Sequence, residues 1–198
     1  MMVQDRTARP RPARPASALT AALTSAPRDD MTDRTATVLR CDRLELRPID
    51  PKAAADLSGG GDGGFSWASG GPYEGTRDAC AALSGAALAG VFDPGWGAYA
   101  IVRTEDGRAL GGVGFHGPPS GGVVEIGYDL ADSVRGQGYA TEAARAVCAY
   151  ALEQPGVELV VAHTEPDNSA SQRVVARVGF VRDGEGENGL YRFTLRQG

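Results

Sequence analysis

The segment Val134-Arg135-Gly136-Gln137-Gly138-Tyr139-Ala140-Thr141-Glu142-Ala143 joins an apolar stretch with strand character directly to a run of good helix formers. A chain that turns from strand to helix through so few residues has little conformational choice. Gly136 and Gly138 permit positive φ and close approach of a ligand. The first N–H groups of the helix that follows lack internal partners and point at whatever anion sits there. The same glycines would also suit an ordinary tight loop, so the surrounding sequence has to decide between a phosphate nest and a plain turn.

Two common phosphate motifs are excluded. A dinucleotide fingerprint needs a third glycine where Thr141 stands, and no strand ending in an acidic ribose ligand follows at the required distance. A P-loop needs Gly-Lys-Ser/Thr, whereas the single lysine of the chain is Lys52.

The expected order is a mixed α/β sheet. Arg43 to Pro48 alternates as a first strand, and Pro51 to Leu57 opens a helix capped by Asp50. Ser58 to Gly75 is glycine-heavy around Phe65, Trp67 and Tyr73, which either form a lid or pack in the core. Thr76 to Leu88 has helical spacing. Trp96 to Arg103 and Ala109 to His116 read as strands around the turn Thr104 to Gly107, and Val123 to Leu130 follows as a fourth strand.

The 198 residues, 42% hydrophobic and 23% charged, suit one globular domain over residues 39–198. Residues 1–38, rich in Arg-Pro and then Ala, Thr and Ser, are expected to be a disordered tail, and Met31 offers a second plausible translation start. A net charge of −5 argues against nucleic-acid binding, and no segment is long and apolar enough to span a membrane. Cys41, Cys80 and Cys148 are odd in number and lack metal-ligand spacing, so they read as reduced thiols of a cytoplasmic protein with no metal site.

Arg135-x-x-Gly138-x-Ala140 resembles the (Gln/Arg)-x-x-Gly-x-(Gly/Ala) motif with which GNAT-superfamily N-acetyltransferases hold the pyrophosphate of acetyl-CoA. Val123 to Leu130 resembles that family's fourth strand, Thr141 to Leu152 the helix beneath the cofactor, and Leu159 to His163 its fifth strand. Asn168-x-x-Ser171 followed by Gly179-Phe180 is similar to the signature of the RimJ/RimL-type branch. The resemblance implies a central twisted mixed sheet of six to seven strands, splayed between the fourth and fifth and flanked by helices. It implies acetyl-CoA as co-substrate, a primary amine as acceptor, and is compatible with a homodimer.

Carried over residue by residue, the resemblance assigns the cofactor to Arg135, Gly136, Gln137, Gly138, Tyr139, Ala140 and Thr141, with Asn168 and Ser171 on the next helix. Tyr128 and Leu130 are expected to act through their backbone, pairing with pantetheine and stabilising the oxyanion. Ser171 is the candidate donor to the thiolate, or a helix cap, because the tyrosine that many relatives carry seven residues after the asparagine is Val175 here. Glu125, His163 and His116 compete as the base, beside a water relay with no single essential base.

The acceptor is a protein N-terminus or a small-molecule amine. Alternatives are an antibiotic, polyamine or amino acid analogue as substrate, or a non-catalytic CoA-binding module. Glu74, Glu165, Glu185 and Glu187 are candidate attractors of a cationic amine, or simply solvated carboxylates.

Overall fold

The computed structural model describes residues 36–197. The tail expected over residues 1–38 therefore lies almost wholly outside the described residues. The elements in chain order are β1 (Leu39–Arg40), β2 (Leu44–Pro48), α1 (Pro51–Ser58), α2 (Glu74–Leu88), β3 (Ala98–Arg103), β4 (Ala109–Phe115), β5 (Val123–Leu130), α3 (Tyr139–Glu153), β6 (Leu159–Thr164), α4 (Ser169–Val178), β7 (Val181–Glu185) and β8 (Tyr191–Leu195). β5 and β6 are the strands expected as fourth and fifth.

The strands form one sheet in the order β1-β2-β3-β4-β5-β6-β8-β7. Eight strands stand where six to seven were expected, β1 being a two-residue strand ahead of the first one visible in the sequence. All pairings between the named strands are antiparallel except β5 with β6. That parallel pairing covers only Val123 to Glu125 against Leu159 to Val161, while β5 stays paired to β4 through Leu130. The expected splay thus opens just after Glu125.

Local chemistry explains most boundaries. Asp50 accepts a hydrogen bond from the Ala53 N–H at 2.8 Å, with Pro51 preset for the first turn of α1. Gly179 ends α4 in the left-handed conformation, φ 115°. α3 lies close to the sheet because its inward residues are small: Ala143, Ala144, Val147, Cys148 and Ala151 are all buried.

The sheet carries a hydrophobic cluster on each face. Val124, Ile126 and Leu130 of β5 join Val147 and Val160 on the α3 face, whereas Ala100 and Val102 of β3 join Leu57, Cys80 and Leu83 on the α2 face. The glycine-heavy loop is tied down rather than free to close. Ala68 donates to the Ala109 carbonyl and Ala109 to the Ser66 carbonyl, both at 2.8 Å. Phe65 and Trp67 pack on the α2-side cluster, and Tyr73 packs on the other.

Asp129 joins this framework to the splay. Its carboxylate accepts from the Thr76 N–H and hydroxyl, both at 2.6 Å, and from the Gly112 N–H at 2.8 Å, so one side chain ties the start of α2 to β4 and β5. Removing it strands two N–H groups and a buried hydroxyl. Asp129→Ala is expected to destabilise the domain by about 3 kcal/mol in urea unfolding, with Asp129→Asn recovering part of the loss.

Candidate active site

The glycine junction has the geometry its sequence demands. Gly136 (φ 78°) and Gly138 (φ 85°, ψ 0°) are both left-handed, and Gly138 occupies the N-cap of α3, where no side chain caps the helix. The N-terminal amides therefore remain available to an anion.

A residue absent from the sequence-derived site holds this turn in place. Arg43 donates through Nη1 to the Gln137 carbonyl at 3.1 Å and through Nε to Glu142 at 2.8 Å. The Arg43 backbone N–H also binds Glu142 at 2.8 Å, and the guanidinium lies 4.5 Å from the Tyr139 ring centroid. Gln137 is consequently the exception among the expected cofactor residues: it is exposed, its carbonyl is held by Arg43, and it does not line the cleft.

The other expected cofactor residues come together. Tyr128, Leu130, Arg135, Gly136, Gly138, Tyr139, Ala140, Thr141, Asn168 and Ser171 all line one cleft of about 370 Å³. Its β5 wall is an open strand edge. The Glu125 carbonyl accepts from the His116 N–H on the β4 side, so strand alternation directs the polar groups of Ile126, Tyr128 and Leu130 to the opposite side, beyond the end of β6 pairing. There the Leu130 carbonyl accepts from Arg135 Nε at 3.2 Å, and Asp132 holds Arg135 Nη1 at 2.8 Å.

Arg173 and Arg177 of α4 also line this cleft, as does Arg135. Asp129 is its one acidic lining residue, and the carboxylate is turned to the α2 face, where Thr76 and Gly112 engage it. The cleft thus favours an anionic ligand.

On α4, Asn168 Oδ1 accepts from the Ser171 N–H at 3.0 Å, making Asn168 the cap of the helix. The Tyr128 hydroxyl crosses the splay and donates to the Ser171 carbonyl at 3.3 Å. Burial pushes this phenol above its ordinary pKa, so it keeps its proton at neutral pH. Sequence reasoning assigned Tyr128 only a backbone role, since a strand residue does not disclose which helix its side chain will reach. Val175 is fully buried in the core.

The three competing bases form one unit. Glu125 Oε1 lies 2.9 Å from His163 Nδ1 and 3.2 Å from His116 Nδ1. His116 follows the last residue of β4, directly opposite Glu125, and His163 stands two residues beyond the β6 partner of Glu125 on the same face. Burial pushes the Glu125 carboxyl up, but the two imidazoles outweigh it and hold the group down at about 2. The hydrogen bond to Glu125 raises the His116 imidazole above its usual value against opposing burial. Among the described residues no group of three or more His, Cys, Asp or Glu is arranged to hold a metal ion. Glu74, Glu165 and Glu185 are exposed and none lines the cleft.

Residues 43–181 match the acetyltransferase (GNAT) domain family. The uncharacterized N-acetyltransferase YjdG of Bacillus subtilis (strain 168) is 35% identical over 88 residues, 44% of this chain and 52% of that protein. The chain spans about half the length of the curated relatives it matches. Among solved structures, an acetyltransferase from Agrobacterium tumefaciens str. C58 superposes with a TM-score of 0.59 at 26% identity, covering 86% of this chain and 100% of that one. Mycobacterium smegmatis RimJ, solved with a CoA-disulfide, shares the fold with a TM-score of 0.55 at 20% identity, covering 81% and 88%. With a family match over residues 43–181, most of its length, the chain belongs to the GNAT acetyltransferase family.

Proposed function

We propose that the protein is an acetyl-CoA-dependent N-acetyltransferase that passes acetyl directly to a primary amine, on a protein N-terminus or a small molecule, in a cytoplasmic setting. The observation that carries this reading is the cleft itself. It combines left-handed Gly136 and Gly138 at a helix N-terminus, an arginine-rich rim, and an unpaired β5 edge that a pantetheine arm could join as an added strand.

In this reading the amides of α3 and Arg135 hold the pyrophosphate, and the Tyr128 and Leu130 backbone groups hold pantetheine and the thioester carbonyl. Ser171 and the Tyr128 phenol supply hydroxyls to the departing thiolate. The unit of Glu125, His163 and His116 takes up the amine proton on the other face of β5.

Calorimetric titration with acetyl-CoA tests the reading, with ATP and NAD as controls. Binding of acetyl-CoA alone, followed by turnover of an amine, is the expected result; binding without turnover of any amine would leave a non-catalytic CoA module. Gly138→Asp forces a side chain into the left-handed region, at about 1–2 kcal/mol, and sets a negative charge at the nest. Its affinity for acetyl-CoA should fall by more than about tenfold. Ser171→Ala combined with Tyr128→Phe should lower kcat by about 10²-fold while the acetyl-CoA Kd stays within a small factor. An equal loss in both quantities would make these hydroxyls positioning groups only.

A further inference from the structure

The α2 face of the sheet holds a second opening beside the cofactor cleft. Gly112 and Gly114 of β4 and Gly127 of β5 leave this part of the sheet without side chains, and Gly75, Thr76 and Ala79 of α2 cover it. The slot between them measures about 230 Å³. It shares Tyr128 and Asp129 with the cofactor cleft, so the two cavities meet across β5. Outward it continues into a groove of about 370 Å³ floored by Leu83, Phe92, Trp96 and Phe115. The groove's charged lining residues other than His116 are Asp78 and Asp93.

His116 stands where these spaces join. It lines the slot, the outer groove and the pocket over Glu125 and His163. Its Nδ1 faces Glu125, while its Nε2 lies over Gly127, so close that a Cβ there would sit 2.8 Å from that nitrogen. The imidazole is therefore aimed along β5 toward the residue before Tyr128. The Nε2 of His163 faces elsewhere, over Gly186 of the β7–β8 connection, where a Cβ would lie 2.9 Å away.

Building on the acetyltransferase reading, we propose that His116 is the catalytic base, that the acceptor amine lies in the slot beside its Nε2, and that the acceptor carries an apolar, non-anionic group seated in the outer groove. Glu125 positions His116 in the tautomer with Nδ1 protonated and Nε2 bare, and His163 holds Glu125. The amine nitrogen forms its bond to the thioester carbonyl carbon, and Nε2 takes the proton from that nitrogen. The C–S bond then breaks with its electron pair on sulfur, the thiolate takes a proton from the Ser171 and Tyr128 hydroxyls, and the proton held on Nε2 passes through solvent to restore them, releasing amide and free thiol. An anionic acceptor is disfavoured by Asp78 and Asp93, whereas an apolar one buries surface against Phe92 and Trp96.

The charged and titratable groups that line the spaces around His116 are Glu125 and Asp129 on β5, His163 on β6, Arg192 on β8, Asp78 on α2, and Asp93 before β3, and among them Glu125 is the one that raises the imidazole. Arg192 is itself paired with Asp183. Because a base must be unprotonated to act, activity should rise with pH through the His116 pKa, which the Glu125 contact raises.

The chain has two histidines, so ¹H–¹⁵N long-range NMR of the full protein resolves both rings, with His163→Gln assigning them. His116 should show the Nδ1–H tautomer, and Glu125→Gln should lower its pKa. With acetyl-CoA and a panel of phenethylamine, hexylamine, β-alanine and glutamate, the first two should be preferred at least ~10-fold in kcat/KM. The acid limb of the wild-type pH profile should coincide with the His116 titration and move to lower pH in Glu125→Gln. His116→Gln should cost about 10²-fold or more in kcat with acetyl-CoA binding retained. Turnover that survives His116→Gln, or an acid limb unmoved by Glu125→Gln, overturns this proposal alone. Failure of the wild type to acetylate any amine overturns the acetyltransferase reading and this proposal with it.

Discussion

The parting of β5 from β6 after Glu125 is the constraint on which the rest of the site depends. A strand paired on both edges offers no backbone groups to a ligand, and β5 is paired to β4 along most of its length. Only because β6 leaves after three residue pairs does the second edge of Ile126 to Leu130 face a cleft. The glycine turn then places the start of α3 at the end of that edge, and α4 closes the far side with Ser171 and two arginines. Strand edge, helix terminus and cationic rim are brought together by one break in the sheet.

Holding that break open requires support from both faces. Above it, Asp129 ties β5 and β4 to the first turn of α2, so the open edge is braced by three hydrogen bonds on the face away from the glycine-turn cleft. Below it, the small buried residues of α3 let the helix approach the sheet, and Arg43 links the turn to the beginning of the domain through Gln137 and Glu142. The Glu125 cluster sits where β5 and β6 are still paired. It therefore joins the rigid part of the sheet to the edge of its opening.

Much of this was legible along the chain. The Asp50 cap and the Gly136 and Gly138 turn depend on interactions among neighbours in sequence, the Val123 to Leu130 strand shows in its local residue pattern, and each lies where the residues indicate. Two elements were harder to see. β1 is two residues long and is defined only by its pairing with β2, and Phe65 and Trp67 gave no sign of whether they close over a ligand or pack against the sheet. Arg43 was equally silent, because its partner Glu142 is 99 residues away.

The sequence by itself therefore determined the strand-to-helix turn and the family, and it nominated the residues proposed for proton transfer, since spacing, caps and glycine conformations are local. Tertiary structure alone decided how those residues combine. Glu125, His116 and His163 read as rivals in the sequence, but cross-strand register places both Nδ1 atoms on a single carboxylate oxygen. It also sends the Tyr128 phenol across to Ser171 and buries Val175 in the core. The physical reason is that a side chain's neighbours along the chain fix its conformation, whereas its chemical partners are fixed by sheet register and packing, which pair residues tens of positions apart.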